Sequence, residues 1–279
     1  MNAPYGGELV FRWASPGARE TLAREAEGLK RVELDAEVVL DAELIAGGAY
    51  SPLDGFMTSD EVESVLTLGR LPNGLLWSVP VMLTVGEQGA AGIRPGDFVA
   101  LYFSGKPVGF IDVEDVFRPR GRRKHGEIAL GGRILMLRAQ ERGEHFLQPW
   151  EVRAELERRG WKSVAGLAAM GEPQSGMHGS LKRSVLKEVD GLMIRPLISE
   201  VGDSLIASWK TLAEKHLPKG SALLSALPAS AKHTGRNGVV MRAIVHRNYG
   251  CTHVVETEDS LGEAARELGV KTIRLDEGE

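Results

Sequence analysis

The sequence predicts a β-rich first part, to about residue 145, and a parallel α/β layer from about residue 146 onward. Two broad observations predict this. Short alternating apolar segments separated by Gly- and Pro-containing turns fill the first part, and strand-like and helix-like patterns alternate from Pro149 to the end. A third is local: the apolar run Val164 to Met170 passes through a glycine-rich turn into an amphipathic run, with Leu181, Val185, Leu186 and Val189 at helical spacing. Gly191 to Leu197 reads as the next strand and closes a βαβ unit. The turn, Gly171 to Gly179, then lies at the carboxyl end of a parallel strand, where such sheets bind ligands.

Taken in order, Ala18 to Leu29 reads as a short helix and Val32 to Leu40 alternates as a strand. Asp41 to Met57 reads as irregular turns around Gly47, Gly48 and Ser51-Pro52, with Leu44, Ile45, Leu53 and Phe56 buried between them. Val62 to Leu68 is a short helix. Leu76 to Val85 and Phe98 to Tyr102 are strands, with Pro95-Gly96-Asp97 a turn between them, and Val108 to Val116 alternates again. In the second part Pro149 starts a helix through Arg159, which Gly160 ends. Helix 203–216, strand 221–226, helix 238–248, strand 252–256, helix 260–268 and strand 271–275 follow.

With 279 residues, 43% hydrophobic and 26% charged, the composition is that of an ordinary globular protein of one large or two usual domains. A net charge of −4 gives no overall attraction to nucleic acid or to an anionic membrane. The single cysteine, Cys251, excludes an internal disulfide and a cysteine-built zinc site, and fits a reducing, cytoplasmic setting. The first seven residues lack the pattern of a signal peptide, and the apolar stretch Leu75 to Val85 is too short to span a bilayer. One basic run, Arg118 to Lys124, could touch an RNA backbone, but one short run is a weak signal and the favoured reading is a solvated loop at a domain edge.

The string Ala42 to Met57, with Gly47-Gly-Ala-Tyr-Ser-Pro-Leu-Asp-Gly-Phe-Met57 at its centre, closely resembles the N-terminal signature of ATP sulfurylases (sulfate adenylyltransferases). Leu71 to Leu83 is similar to the segment that follows in that family, and Arg247-Asn-Tyr-Gly-Cys-Thr-His253 matches a family string residue for residue. The resemblance runs from about residue 30 to about residue 255. It implies a PUA-like β-rich N-terminal domain over 1–145 and a Rossmann-like nucleotidyltransferase α/β domain over 146–279. It also implies a homo-oligomer, and the family reaction of ATP with sulfate to adenylyl sulfate and pyrophosphate.

The family's catalytic strings are not kept. Its loop Gln-Thr-Arg-Asn-Pro-x-His-x-x-His-Glu falls on Ala169 to Gly179, where only Pro173 and His178 agree. The glutamine and arginine that hold sulfate in the family correspond to Ala169 and Gly171, and Glu172 adds a negative charge beside them. A second string, Met-Arg-Tyr-Ala-Gly-Pro-Arg-Glu, falls on Ala231 to Gly238, with Lys232, His233 and Arg236 as the basic residues present. Of a third, Gly-Arg-Asp-His-Ala-Gly, Asp259 and Gly262 remain. Arg195 stands where the family has a histidine.

The candidate catalytic residues are therefore His178, at the start of a helix beside the turn, and Ser175, in place of the first family histidine. Gly171, Pro173, Gly176, Arg195, Lys232, Arg236 and Asp259 are the candidate nucleotide- or anion-binding residues. Each has a plainer reading as turn former, cap or solvated side chain. No tightly bound cofactor or metal is expected; ATP or an adenylyl nucleotide, with Mg2+, is the candidate ligand. Four functions stay open: a scaffold that has lost turnover on sulfate, an adenylyltransferase for another acceptor, a sulfate adenylyltransferase with rebuilt contacts, and an RNA-binding module of the PUA-like kind.

Overall fold

A computed structural model describes residues 1–119, 127–140, 142–198, 203–256 and 261–275, apart from the side chains of Asp203 and Arg236. The chain falls into two compact units, Leu9–Glu141 and Met1–Glu8 together with Arg142–Glu279.

The unit Leu9–Glu141 contains α1 (Arg19–Glu25), β1 (Arg31–Glu33), α2 (Ala36–Ala46), β2 (Gly55–Phe56), α3 (Ser59–Leu68), β3 (Leu83–Gly86), β4 (Phe98–Phe103), β5 (Lys106–Phe117) and β6 (Glu127–Met136). Its sheet runs β1-β4-β5-β6-β2, with β3 also on β6; β1 and β4 pair in parallel and the other described pairs are antiparallel. The expected strand Val32 to Leu40 is cut short, because the Asp35 carboxylate accepts the Val38 amide at 2.8 Å and starts a helix there. α2 buries every residue from Val38 to Ala46. With no polar face, it leaves no helical period in the sequence. Leu44, Ile45, Leu53 and Phe56 are buried as expected. Of the expected strand Leu76 to Val85 only the end, β3, is a strand. Pro80 lacks an amide for a ladder, and the Trp77 indole donates to the Val79 carbonyl at 2.8 Å. β6 is an added strand, disguised by Gly131-Gly132. A Cβ at Gly132 would lie 2.0 Å from the Asp112 carbonyl oxygen, so the close approach of β5 to β6 requires glycine.

The second unit contains α4 (Pro149–Arg158), β7 (Val164–Ala169), α5 (Met177–Ser180), β8 (Gly191–Ile198), α6 (Asp203–His216), β9 (Ala222–Leu224), β10 (Leu227–Pro228), α7 (Gly235–Asn248), β11 (His253–Glu256), α8 (Ala264–Glu267) and β12 (Lys271–Arg274). All its described strand pairs are parallel, in the order β10-β8-β7-β11-β12, with β9 also on β8. β7 is therefore wound outward from in both directions, and the strand order reverses between β7 and β11. Open α/β sheets bind ligands at the carboxyl end of such a reversal.

Strand alternation divides the side chains between two faces. Ala165, Leu167, Leu192 and Ile194 join one core with Leu181, Val185, Trp209 and Leu212. Gly166, Ala168, Met193 and Arg195 alternate onto the opposite face, where α7 lies: a Cβ on Gly166 would meet the His246 ring and the Cys251 sulfur. The amphipathic helix expected after the turn is one α-helical turn, α5, continued by a π-helical stretch over Leu181–Val185. No described helix is long and apolar enough to cross a membrane.

Candidate functional site

The turn between β7 and α5 is exposed at Gly171, Glu172, Ser175 and Gly176, and half-buried at Pro173 and His178. Two contacts shape it. The Trp209 indole, on α6, donates to the Gly171 carbonyl at 2.9 Å. Gly176 sits at φ +78°, a left-handed conformation that suits glycine, and its carbonyl accepts the Gly179 amide at 2.8 Å. The His178 ring lies 5.1 Å from the His216 ring at the end of α6. So Gly171 and His178 are held by α6, on the face of the apolar core. Met170, at the end of β7, is an exposed apolar residue.

Arg195 is elsewhere. One residue beyond Ile194 on β8, it alternates to the α7 face and is 1% exposed. Its guanidinium carbon sits 3.5 Å from the centroid of the Tyr249 ring. Its Nε, Nη1 and Nη2 atoms are buried and find no hydrogen-bond partner among the described residues. It lines one small void, and a second shares part of that lining. One, of ≈ 10 Å³, is lined by Ala168, Arg195, Leu197, Leu227, Arg242 and His246, among others. The other, of ≈ 20 Å³, shares Ala168, Arg242 and His246 and reaches Met170 and Glu256 at the carboxyl edge, where the strand order reverses. Both reach about the size needed for a single water molecule or larger.

The charge balance here is one-sided. Arg242, four residues before His246 on α7, donates to the His233 carbonyl. His233 and His246 are buried, with Arg195 and Arg242 near both; burial first, then these cations, pushes His233 down to about 3 and lowers His246 well below the ordinary histidine range. Both rings are neutral at pH 7. Glu256, at the rim, accepts the Leu261 amide at 2.7 Å and faces Arg274 at 3.7 Å. Taking a guanidinium out of water costs several kcal/mol even after relaxation. An aromatic face returns about 2 kcal/mol when desolvated. Tyr249 alone does not offset the burial of Arg195.

The remaining candidates scatter. Lys232 lies in a short 3-10 turn, Ala231–His233, its amide on the Ser230 hydroxyl at 3.2 Å. The backbone of Arg236 is in the first turn of α7; its side chain, and all of Asp259, lie outside the described residues, as do residues 120–124 of the basic run. Of that run, Arg118 pairs with Glu87 at 2.7 Å. Among the described residues no group of His, Cys, Asp and Glu could hold a metal ion. The structure thus brings His178 to His216 and Arg195 to Tyr249, Arg242 and His246, on opposite faces of one sheet. Arg242 and His246 were absent from the sequence candidates; their spacing of four on a helix, and an arginine within an apolar strand, were the available signals.

A larger cavity of ≈ 290 Å³ lies in the Leu9–Glu141 unit, lined in part by Asp54, Glu61, Asn73 and Arg133. Its charges are already matched: Asp54 with Arg12, Arg133 with Glu114 and Asp112, and Glu61 with the start of α3. We therefore place the candidate chemistry at the sheet edge.

Comparison with known proteins agrees with the two-part fold. The sequence model of the PUA-like domain matches residues 2–134, and that of ATP-sulfurylase matches residues 144–264. A sulfate adenylyltransferase from Symbiobacterium thermophilum is 34% identical over 93% of this chain and 73% of its own length. The chain belongs to the sulfate adenylyltransferase (ATP sulfurylase) family. A second sulfate adenylyltransferase, from Ignicoccus hospitalis, is 33% identical over 94% of the chain and 76% of its own length. Among solved structures, the hexameric APS kinase from Thiobacillus denitrificans superposes with a TM-score of 0.84 at 28% identity; the match covers 98% of this chain but only 56% of that one.

Within this sulfate adenylyltransferase fold, the string Arg247 to His253 that matches the family holds the end of α7 in place. Arg153 donates to the carbonyls of Arg247 and Asn248 at 3.0 and 2.7 Å, satisfying the last turn. Gly250 follows at φ +100°, as expected of a residue closing a helix. Arg247 donates to the Leu268 carbonyl at 2.6 Å, and the Tyr249 hydroxyl to that of Leu147 at 3.1 Å. Cys251 is fully buried, and burial pushes its thiol up to about 12, which leaves no thiolate for chemistry.

Proposed function

We propose that this member of the sulfate adenylyltransferase family has lost turnover of ATP with sulfate and keeps a weak site for a phosphate-bearing nucleotide or an inorganic oxyanion at the turn after β7. The observation that carries the reading is the content of that turn. Ala169 is in the core, the Gly171 carbonyl is tied to Trp209, and Glu172 presents a carboxylate. No arginine or glutamine side chain stands where the family resemblance implies sulfate contacts, and Arg195 is turned to the other face. A carboxylate about 4 Å from an anion opposes it by several kcal/mol at an effective dielectric of about 20. Loss of a single oxyanion contact already lowers rates by roughly 10²–10³.

Weak binding is supported by the exposed backbone at Ser175 and Gly176 and by His178 beside them. Mg2+ would arrive with the nucleotide. The hexameric assembly of the related APS kinase supports a homo-oligomer here too. The test is pyrophosphate release by the purified full chain with ATP and sulfate, together with calorimetry for ATP, adenylyl sulfate and pyrophosphate. The expected outcome is no release, with millimolar to micromolar binding that His178→Ala weakens. Turnover at rates ordinary for enzymes, about 1–10³ s⁻¹, would overturn the proposal.

A further inference from the structure

We infer that Arg195, with His246 and the mouth formed by Met170 and Glu256, builds an enclosed binding site for a small inorganic anion on the α7 face of the sheet. This site uses a different face and different residues from the turn that carries the proposed nucleotide binding, and it stands whether or not that binding is found.

Three observations converge on it. First, Arg195 is 1% exposed and all three of its guanidinium nitrogens lack a hydrogen-bond partner among the described residues. Buried charges in proteins are paired, hydrogen-bonded or ligated, and a donor set of this kind takes acceptors of negative charge. Second, the side chain borders a void and does not pack against a solid wall. The space beside it shares three lining residues, Ala168, Arg242 and His246, with a second space that reaches Met170. Third, the surroundings are built for that space. Gly166 on β7 has no side chain because the His246 ring occupies its place, with Nδ1 2.3 Å from where a Cβ would stand. His246 Nδ1 is itself buried without a partner among the described residues, and can serve as donor in the appropriate tautomer.

The ligand class follows from size and charge. The voids are ≈ 10 and ≈ 20 Å³, far too small for a nucleotide, and the unpartnered groups are hydrogen-bond donors at a guanidinium and a neutral ring. A halide or a compact oxyanion meets both conditions. Its position, at the carboxyl edge where β7 and β11 diverge, is where this architecture binds ligands in general.

The experiment uses crystals of the full chain, one set soaked in bromide and one in selenate, with anomalous difference maps. A peak beside the Arg195 guanidinium in either is the expected result; bromide alone marks a halide site, selenate alone an oxyanion site. No peak there in either overturns the inference. In solution, unfolding of the wild type should shift up by a few degrees, rising with the logarithm of concentration, as the anion that gave the peak is raised to ten times its dissociation constant. Arg195→Met, which removes the charge at similar volume, should lose that shift, and Arg195→Lys should keep a reduced one. An equal shift in Arg195→Met and wild type would place the anion elsewhere and overturn the inference. Should Arg195→Met fail to fold, the anomalous maps of the wild type decide alone.

Discussion

Acidification from pH 7 to pH 5 should destabilise the unit that contains α7 far more than its surface charge would suggest. His233 and His246 are 0% and 2% exposed, and both are held neutral by burial and by Arg195 and Arg242. Their folded-state pKa values lie below the ordinary 6.5, that of His233 at about 3. Below pH 6.5 the unfolded chain therefore binds protons that the folded chain refuses. Stability is fully present above the unfolded value and is lost as pH falls toward the folded one. Between pH 7 and pH 5 the His233 ring removes about 2 kcal/mol out of the 5–15 kcal/mol typical of a domain, and His246 acts in the same direction. His253, lowered by burial and by Lys271, adds in the same direction. Carboxylates such as Glu155, at about 2, titrate below this window. The assay is urea unfolding at pH 7, 6 and 5, read from the NMR peaks of α7. His233→Gln and His246→Gln should each flatten the steep part of the pH dependence, whatever they do to stability at pH 7. A slope unchanged in both variants, or a His246 ring that titrates near 6.5 in the folded protein, would refute the reasoning.

Two further outcomes concern packing around the sheet edge. Gly166→Ala puts a methyl group 2.3 Å from His246 Nδ1 and 2.9 Å from the Cys251 sulfur, so it should cost about 1–3 kcal/mol and lower Tm by several degrees in a thermal melt. Trp209→Phe removes the bond to the Gly171 carbonyl and should cost about 0.5–1.5 kcal/mol, with faster hydrogen exchange over 171–178; unchanged exchange there would show that the bond does not hold the turn.

The second half of the chain was legible because its strands and helices alternate with distinct periods, and α6 falls on the expected range 203–216. α2 was not, because burial on all sides erased the polar stripe, and its one clear start signal, Asp35, sat inside what read as an alternating strand. β6 was hidden by Gly131-Gly132, whose role depends on β5 and on Thr58, partners remote in sequence. The candidate site was half legible. Sequence position brings Arg195 near the turn, but the face on which a strand residue lies depends on which of its neighbours meets the core, and Ile194 meets it. The cluster of Arg195, Arg242 and His246 needs β8 and α7 side by side, which no local pattern states.

The first eight residues belong to the same unit as residues 142–279, and their partners are late in the chain. The Asn2 amide bonds to the Gly250 carbonyl, its side chain to that of Gly269, and the Tyr5 amide to Asn248 Oδ1. At about 5–20 residues per second, roughly 12–50 s separate their synthesis from that of their partners. During that interval the whole stretch 9–141, a compact unit of its own, is synthesised. The N-terminal segment then acts as a latch: it fastens the end of α7 only once the ribosome has delivered it, and every earlier length of nascent chain carries it without those bonds.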